Sequence, residues 1–72
     1  MPTPISVSLA RELLSLCEER YKALTVSGCD EDVAADRVWD ALICAVEKPH
    51  MHCFDPRDRL FENRLRTVVK KG

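Results

Sequence analysis

The sequence predicts an all-α protein, and three observations indicate that class. Apolar residues recur at helical spacing in three segments, which cover about residues 7–26, 31–48 and 56–70. Capping and turn residues separate these segments, as they do at helix ends. The length of 72 residues allows one domain, so we expect a single helical domain over residues 1–72.

The first segment is clearly amphipathic. Ser6 or Ser8 can cap its start, and Ser27-Gly28 ends it, with Gly28 suited to a left-handed conformation. Arg20 is an exception, because it falls inside the apolar arc. We expect its stem to lie along apolar surface with the charged head in water, the alternative being an ion pair with a partner. The arc itself comprises Leu9, Ala10, Leu13, Leu14, Leu16, Cys17, Tyr21 and Leu24.

The second segment is apolar around more than half of its circumference. A helix of this kind needs cover on more than one side, which a short chain can hardly provide alone. Asp30 is a suitable N-cap, and Pro49 stops the helix. The short connection from the first helix predicts an antiparallel hairpin. The continuous apolar arc comprises Ala34, Ala35, Val38, Trp39, Ala41, Leu42, Ala45 and Val46.

The third segment opens at Asp55-Pro56, an N-cap followed by proline at the first helical position. We expect a helical hairpin plus this shorter C-terminal helix, with two hairpins forming a four-helix-bundle homodimer. The competing expectation is a compact three-helix monomer, in which the third helix covers part of the second. The residues predicted to form the protein interface are Val38, Trp39, Leu42, Ala45, Val46 and Phe61.

Charge is distributed unevenly, although the formal net charge is only −1. Residues 1–56 hold five basic and ten acidic side chains, whereas residues 57–72 hold six and two. An acidic body with a basic end can pair head to tail. On the second helix, an acidic strip is either a solvated face or a docking surface for a basic protein or for the third helix of a second copy. The strip comprises Asp32, Asp36, Asp40 and Glu47.

The third helix carries a basic ridge, which suggests nucleic-acid binding as an alternative function. Arginine can bind phosphate through two parallel hydrogen bonds. The sequence contains no recognisable helix-turn-helix and no aromatic stacking platform, and the acidic body would repel DNA. The ridge comprises Arg59, Arg66, Lys70 and Lys71.

His50, His52 and Cys53 suggest a second alternative, a metal-responsive switch. Imidazole and thiolate are the ligands that zinc prefers, and Cys44 or Asp55 could be the fourth ligand. Four ligands within ten residues are difficult to arrange tetrahedrally, and no zinc-finger spacing is present. The simpler interpretation is a polar turn with Met51 and Phe54 packing inward.

Several function classes are not expected. Nothing supplies a catalytic triad, an oxyanion hole or a deep pocket, so the chain is not predicted to be an enzyme. No motif indicates a cofactor, and no apolar run is long enough for a membrane span. The first seven residues resemble no secretory signal, so we expect a cytoplasmic protein, and Pro2 and Pro4 predict an extended start.

These observations favour a small cytoplasmic protein-binding module. Such a module would regulate, inhibit or adapt another protein by occupying its surface, as small motif-free helical proteins of phages and mobile elements do. Its expected partners are a second copy of itself and another, unidentified protein.

Overall fold

A computed structural model describes residues 6–71 as three α-helices joined by two connections. Helix α1 spans Val7–Val26, α2 spans Glu31–Val46 and α3 spans Arg59–Lys71, with a 3₁₀ turn at Pro56–Asp58 leading into α3. No strand occurs within residues 6–71, which confirms the all-helical class. The extended start predicted at Pro2 and Pro4 lies outside the described residues.

Both ends of α1 are fixed by local hydrogen bonds. The Ser6 hydroxyl accepts a hydrogen bond from the Leu9 N–H at 3.1 Å, so Ser6 is the N-cap of the two candidates. At the other end Gly28 has a φ of +100°, and the Cys29 N–H donates to the Leu24 carbonyl at 3.0 Å. This is the glycine-containing Schellman ending, and it turns the chain back toward α1.

Helix α2 begins after Asp30 as predicted, but it ends at Val46 rather than near residue 48. The Asp30 side chain makes no capping hydrogen bond. The early end has a local cause, because the Pro49 ring disfavours a helical conformation at the residue before it, Lys48.

Helix α3 starts one turn later than predicted, since residues 56–58 form a 3₁₀ turn. The Asp55 carboxylate accepts from the Arg57 N–H at 2.9 Å, and Pro56 occupies the first position of the turn, as expected. Tight turns of this kind are common at helix starts. The helix then runs to Lys71, one residue beyond its predicted end.

Helix α3 packs against both α1 and α2 and completes one core. Ala34 and Ala41 of α2 and Leu65 of α3 have no exposed surface. Helix α3 makes the most extensive contact with α2, so the third helix covers part of the second, as in the competing expectation. The buried apolar residues are Leu13, Leu24, Ala34, Val38, Ala41, Cys44, Ala45, Cys53, Phe61 and Leu65.

Candidate protein-binding site

Two large apolar side chains remain mostly uncovered in the middle of the α1–α2 hairpin. Trp39 is 62% exposed and Leu14 is 60% exposed. Both lie on the side of the hairpin that α3 does not cover, and Ile43 lies one helical turn beyond Trp39. We call this surface, centred on Leu14, Trp39 and Ile43, the Trp39 face.

Trp39 separates two shallow apolar grooves of similar size, both formed by α1 and α2 alone. The first has a volume of about 320 Å³ and the second about 350 Å³. Besides Trp39, the apolar lining of the first is Leu14, Cys17, Tyr21, Ala35, Val38 and Leu42. The apolar lining of the second is Ala10, Leu13, Leu14, Leu42, Ile43 and Val46.

The six predicted interface residues separate into two groups. Ala45 and Phe61 are buried in the core of the chain itself, which corrects their placement at an interface, whereas Val38 is buried but also lines the first groove. Trp39 belongs to the uncovered face, with Leu42 and Val46 half-buried in its grooves. Helical spacing locates the apolar arc of α2, but it does not indicate which part of the arc α3 covers. For the same reason it did not single out Leu14, which is a principal part of the face.

The acidic strip runs along the α2 surface beside the Trp39 face. Asp32, Asp36 and Glu47 are exposed there. Asp40 is half-buried, and its carboxylate accepts a hydrogen bond from the Phe54 N–H at 2.7 Å. One member of the strip therefore holds the connector to α2, and the other three keep their carboxylates at the surface.

A buried carboxylate joins α1 and α2 to the 3₁₀ turn that leads into α3. Asp58 is 1% exposed, and the sequence analysis did not identify it. Arg20 of α1 donates to it at 2.7 Å, and Arg37 of α2 donates to both its oxygens at 2.9 Å. The hydrogen bond to Asp58 raises the pKa of Arg37. Arg20 is thus paired inside the chain, which corrects both expectations for it.

A second buried carboxylate fastens the connector to α3. Glu62 has no exposed surface, and it accepts from the Cys53 N–H, from His52 Nδ1 at 3.1 Å and from Arg66 Nε at 3.0 Å. Burial by itself would raise the pKa of Glu62, but these hydrogen bonds outweigh it and lower the pKa to about 2.

The sequence does contain a pattern that places both carboxylates on the core-facing side of a helix. Asp58 and Glu62 recur with Phe61 and Leu65 at spacings of three and four residues, which is the spacing of a core-facing helix side. A charged residue at such a position requires a buried partner. That partner could not be identified from sequence, because Arg20 and Arg37 lie 38 and 21 residues from Asp58.

The basic ridge is not continuous. Arg66 is half-buried, and besides Glu62 it donates to the Pro49 carbonyl at 3.0 Å and to the Met51 carbonyl. This corrects its assignment to a free ridge. The other three ridge residues, Arg59, Lys70 and Lys71, are exposed.

The proposed metal ligands are engaged elsewhere. His52 faces Glu62, and the buried Cys53 thiol donates to the Asp55 carbonyl at 3.3 Å. Burial, with the neighbouring Glu62 carboxylate, raises the pKa of Cys53 to about 12, which disfavours the metal-binding thiolate. His50 is exposed. In the part of the chain that the structure describes, no three metal-binding side chains are grouped.

The connector does not pack inward as expected. Phe54 is 94% exposed and Met51 is 55% exposed. Backbone hydrogen bonds to Asp40, Glu62 and Arg66 hold this segment in place, and Cys53, rather than Met51 or Phe54, packs into the core.

Comparisons of the chain with protein-family models, curated proteins and solved structures found no match. None of the described helices is long and apolar enough to cross a membrane.

Proposed function

We propose that this chain is a protein-binding module that associates through the Trp39 face, and that its first partner is a second copy of itself. The observation that carries the proposal is the exposed Trp39 between two apolar grooves. Tryptophan is the residue type most enriched among residues that dominate binding energy. A face of this kind is unusual on a small monomeric protein unless it serves binding.

The shape of the face favours self-association. A two-fold symmetric interface brings the same patch together twice, so the patch must carry both a projection and a depression. Here Trp39 is the projection, and the grooves beside it are the depressions. Two hairpins joined in this way form a four-helix bundle, with each α3 on an outer side.

The free energy gained by burying Trp39, compared with the cost of association, shows how much of the Trp39 face a dimer must bury. An aromatic side chain buries roughly 200 Å², so covering its exposed 62% removes about 120 Å² from water. At about 25 cal/mol per Å², this contributes roughly 3 kcal/mol for each copy. Association costs at least about 4 kcal/mol, so Leu14 and Ile43 must contribute as well for a dimer of micromolar affinity.

A dimer would cover Glu47, which lines the second groove, but it would keep Asp32 and Asp36 of the acidic strip at the surface, where they could contact a further protein. We propose that the dimer acts on that protein by occupying its surface, as a regulator, inhibitor or adaptor. This part of the strip suits a basic surface, because both carboxylates are exposed.

Sedimentation equilibrium tests the proposal. At about 0.5 M salt, which screens contacts between charged surfaces, the wild type is expected to show twice the 8.2 kDa chain mass at micromolar concentration, and Trp39→Ser the mass of one chain. Met51→Ser is the matched control, since it removes an exposed apolar side chain outside the face and should leave the dimer unchanged. Circular dichroism checks that both variants fold. A wild type at 8.2 kDa, or a dimer indifferent to Trp39→Ser, would contradict the proposal.

A further inference from the structure

A second uncovered surface lies where the 3₁₀ turn meets α2. It is a cleft of about 600 Å³, with Val33 and Phe54 as its apolar part. Phe54 is 94% exposed and Val33 48%. The cleft shares no lining residue with the grooves of the Trp39 face, so it can be occupied independently of them.

The charges of the cleft indicate the chemistry of its occupant. Four carboxylates and two guanidinium groups line it. Asp55 and Asp58 form ion pairs with arginines. The other two carboxylates, Asp36 and Asp40, form no ion pair with any described residue, and they lie one helical turn apart on α2. The cleft therefore suits a segment with one apolar side chain and positive charge beside it.

The exposed side of α3 has this composition. Leu60 is 81% exposed, and Arg64 follows it four residues later, so the two side chains lie on the same side of the helix. The other exposed charged residues of α3, namely Arg59, Lys70 and Lys71, are also basic.

Within one chain, Leu60 and Arg64 do not line the cleft. Leu60 and Arg64 border a different depression, whose other wall is formed by Leu16, Glu19 and Ala23 of α1. The cleft at Val33 and Phe54 is bordered by α2 and by the two connections.

We infer that the cleft binds α3 of a second copy, with Leu60 against Val33 and Phe54 and with Arg64 facing Asp36 and Asp40. The two surfaces are different patches of one chain, so the contact is heterologous, and a copy can use both at once. Exposed ion pairs are individually weak and are screened by salt, so the apolar contact carries the affinity and the charges select the surface.

Sedimentation velocity in a Trp39→Ser background tests this contact apart from the Trp39 face. We expect concentration-dependent association at about 50 mM salt that weakens severalfold at about 500 mM. Asp36→Lys and Arg64→Glu should each weaken it at least tenfold. An equimolar mixture of the two variants should restore it, since one supplies an intact cleft and the other an intact helix. Glu12→Lys, the same charge change on an exposed α1 position, should have no effect.

Two results would overturn the inference: no salt-sensitive association in this background, or a mixture that associates no better than either variant alone. The proposed dimer is judged separately, with the Trp39 residue present and at high salt. There Asp36→Lys and Arg64→Glu should leave it intact, because they lie outside its grooves.

Discussion

Among single residues, Asp58 connects the parts of the chain that lie furthest apart in sequence. Its one carboxylate holds Arg20 of α1 and Arg37 of α2. These arginines are only partly accessible, with side chains 27% and 15% exposed. Removing the carboxylate would leave Arg20 without an ion-pair partner and Arg37 with only its longer contact to Asp55 at 3.6 Å, which is the costly way to break a buried ion pair.

We therefore expect Asp58→Asn to lower the free energy of unfolding by about 2–3 kcal/mol, less than a fully buried pair would because both arginines reach water in part. Urea denaturation measures this. Glu12→Gln, which neutralises an exposed carboxylate of α1, should stay within about 0.5 kcal/mol of the wild type. Similar losses in the two variants would show that the Asp58 ion pairs do not contribute to stability.

Glu62 gives the protein a defined dependence on acid. Its pKa falls from an ordinary 4.5 to about 2 in the folded chain, so folding stabilises the ionised form. This stabilisation is fully present above about pH 5, and it is lost as the pH falls through 4.5 toward 2. The difference in pKa corresponds to about 3 kcal/mol.

We expect the wild type to lose about this much stability between pH 5 and pH 2, measured by urea denaturation at each pH. In Glu62→Gln, which cannot ionise, this part of the loss should be absent and stability at neutral pH should be lower. The curves of the two proteins should converge as the pH falls. Parallel curves over the whole range would mean that Glu62 has its ordinary pKa in the folded chain.

At the scale of the elements, the connection from α1 to α2 depends on a single backbone conformation. Gly28 has a φ of +100°, and no atom beyond its two chain neighbours lies within 4 Å of the position that a Cβ would occupy there. A substitution therefore meets no neighbouring side chain, and its cost comes from the backbone alone.

Gly28→Ala should destabilise the protein by about 1–2 kcal/mol, because a Cβ disfavours positive φ. Gly28→Asn should cost less, since asparagine adopts this region more readily. The melting temperatures of the wild type and the two variants, measured by thermal unfolding, show this order of stability. If alanine were tolerated as well as asparagine, the turn would not need its left-handed residue.

The bounds of the helices show how well signals from neighbouring residues predict where an element begins or ends. Ser6, Gly28 and the Asp55-Pro56 pair mark element ends as predicted, because each acts within a few residues of itself. The end of α2 differs by two residues, although its signal, Pro49, is equally local. The residue before a proline disfavours the helical conformation, and this preference outweighs the helical pattern at the end of α2.

At the scale of the whole molecule, the main question is how α2 is covered. Helix α3 makes the most extensive contact with α2, and α1 packs against α2 as well, but Trp39 remains 62% exposed. The compact three-helix arrangement and an uncovered hairpin face are thus present together. A dimer through that face would couple association to stability, which small domains often need.

This coupling predicts a melting temperature that depends on protein concentration. Over a hundredfold range the wild type should gain about 5 °C or more, because ligands of the folded state, including a second copy, stabilise it. Trp39→Ser should melt at one temperature throughout. Differential scanning calorimetry at about 0.5 M salt excludes the α3-to-cleft contact from this measurement. A wild-type melting temperature independent of concentration would contradict the coupling.

The helical class, the approximate helix bounds, the hairpin and the uneven charge could all be predicted from the sequence. These features follow from periodicity and capping, which act between residues close together in the chain. The candidate site was predicted in part, since the predicted interface included Trp39 but also Ala45 and Phe61, which are buried in the core.

Which side of α2 is covered and how the buried charges are paired could be seen only in the folded chain. Both depend on residues distant in sequence, such as Arg20 with Asp58, 38 residues apart, or α3 packing on α2. Helical spacing fixes the direction of a side chain around its own axis, whereas the position of the neighbouring helix comes from packing the whole chain.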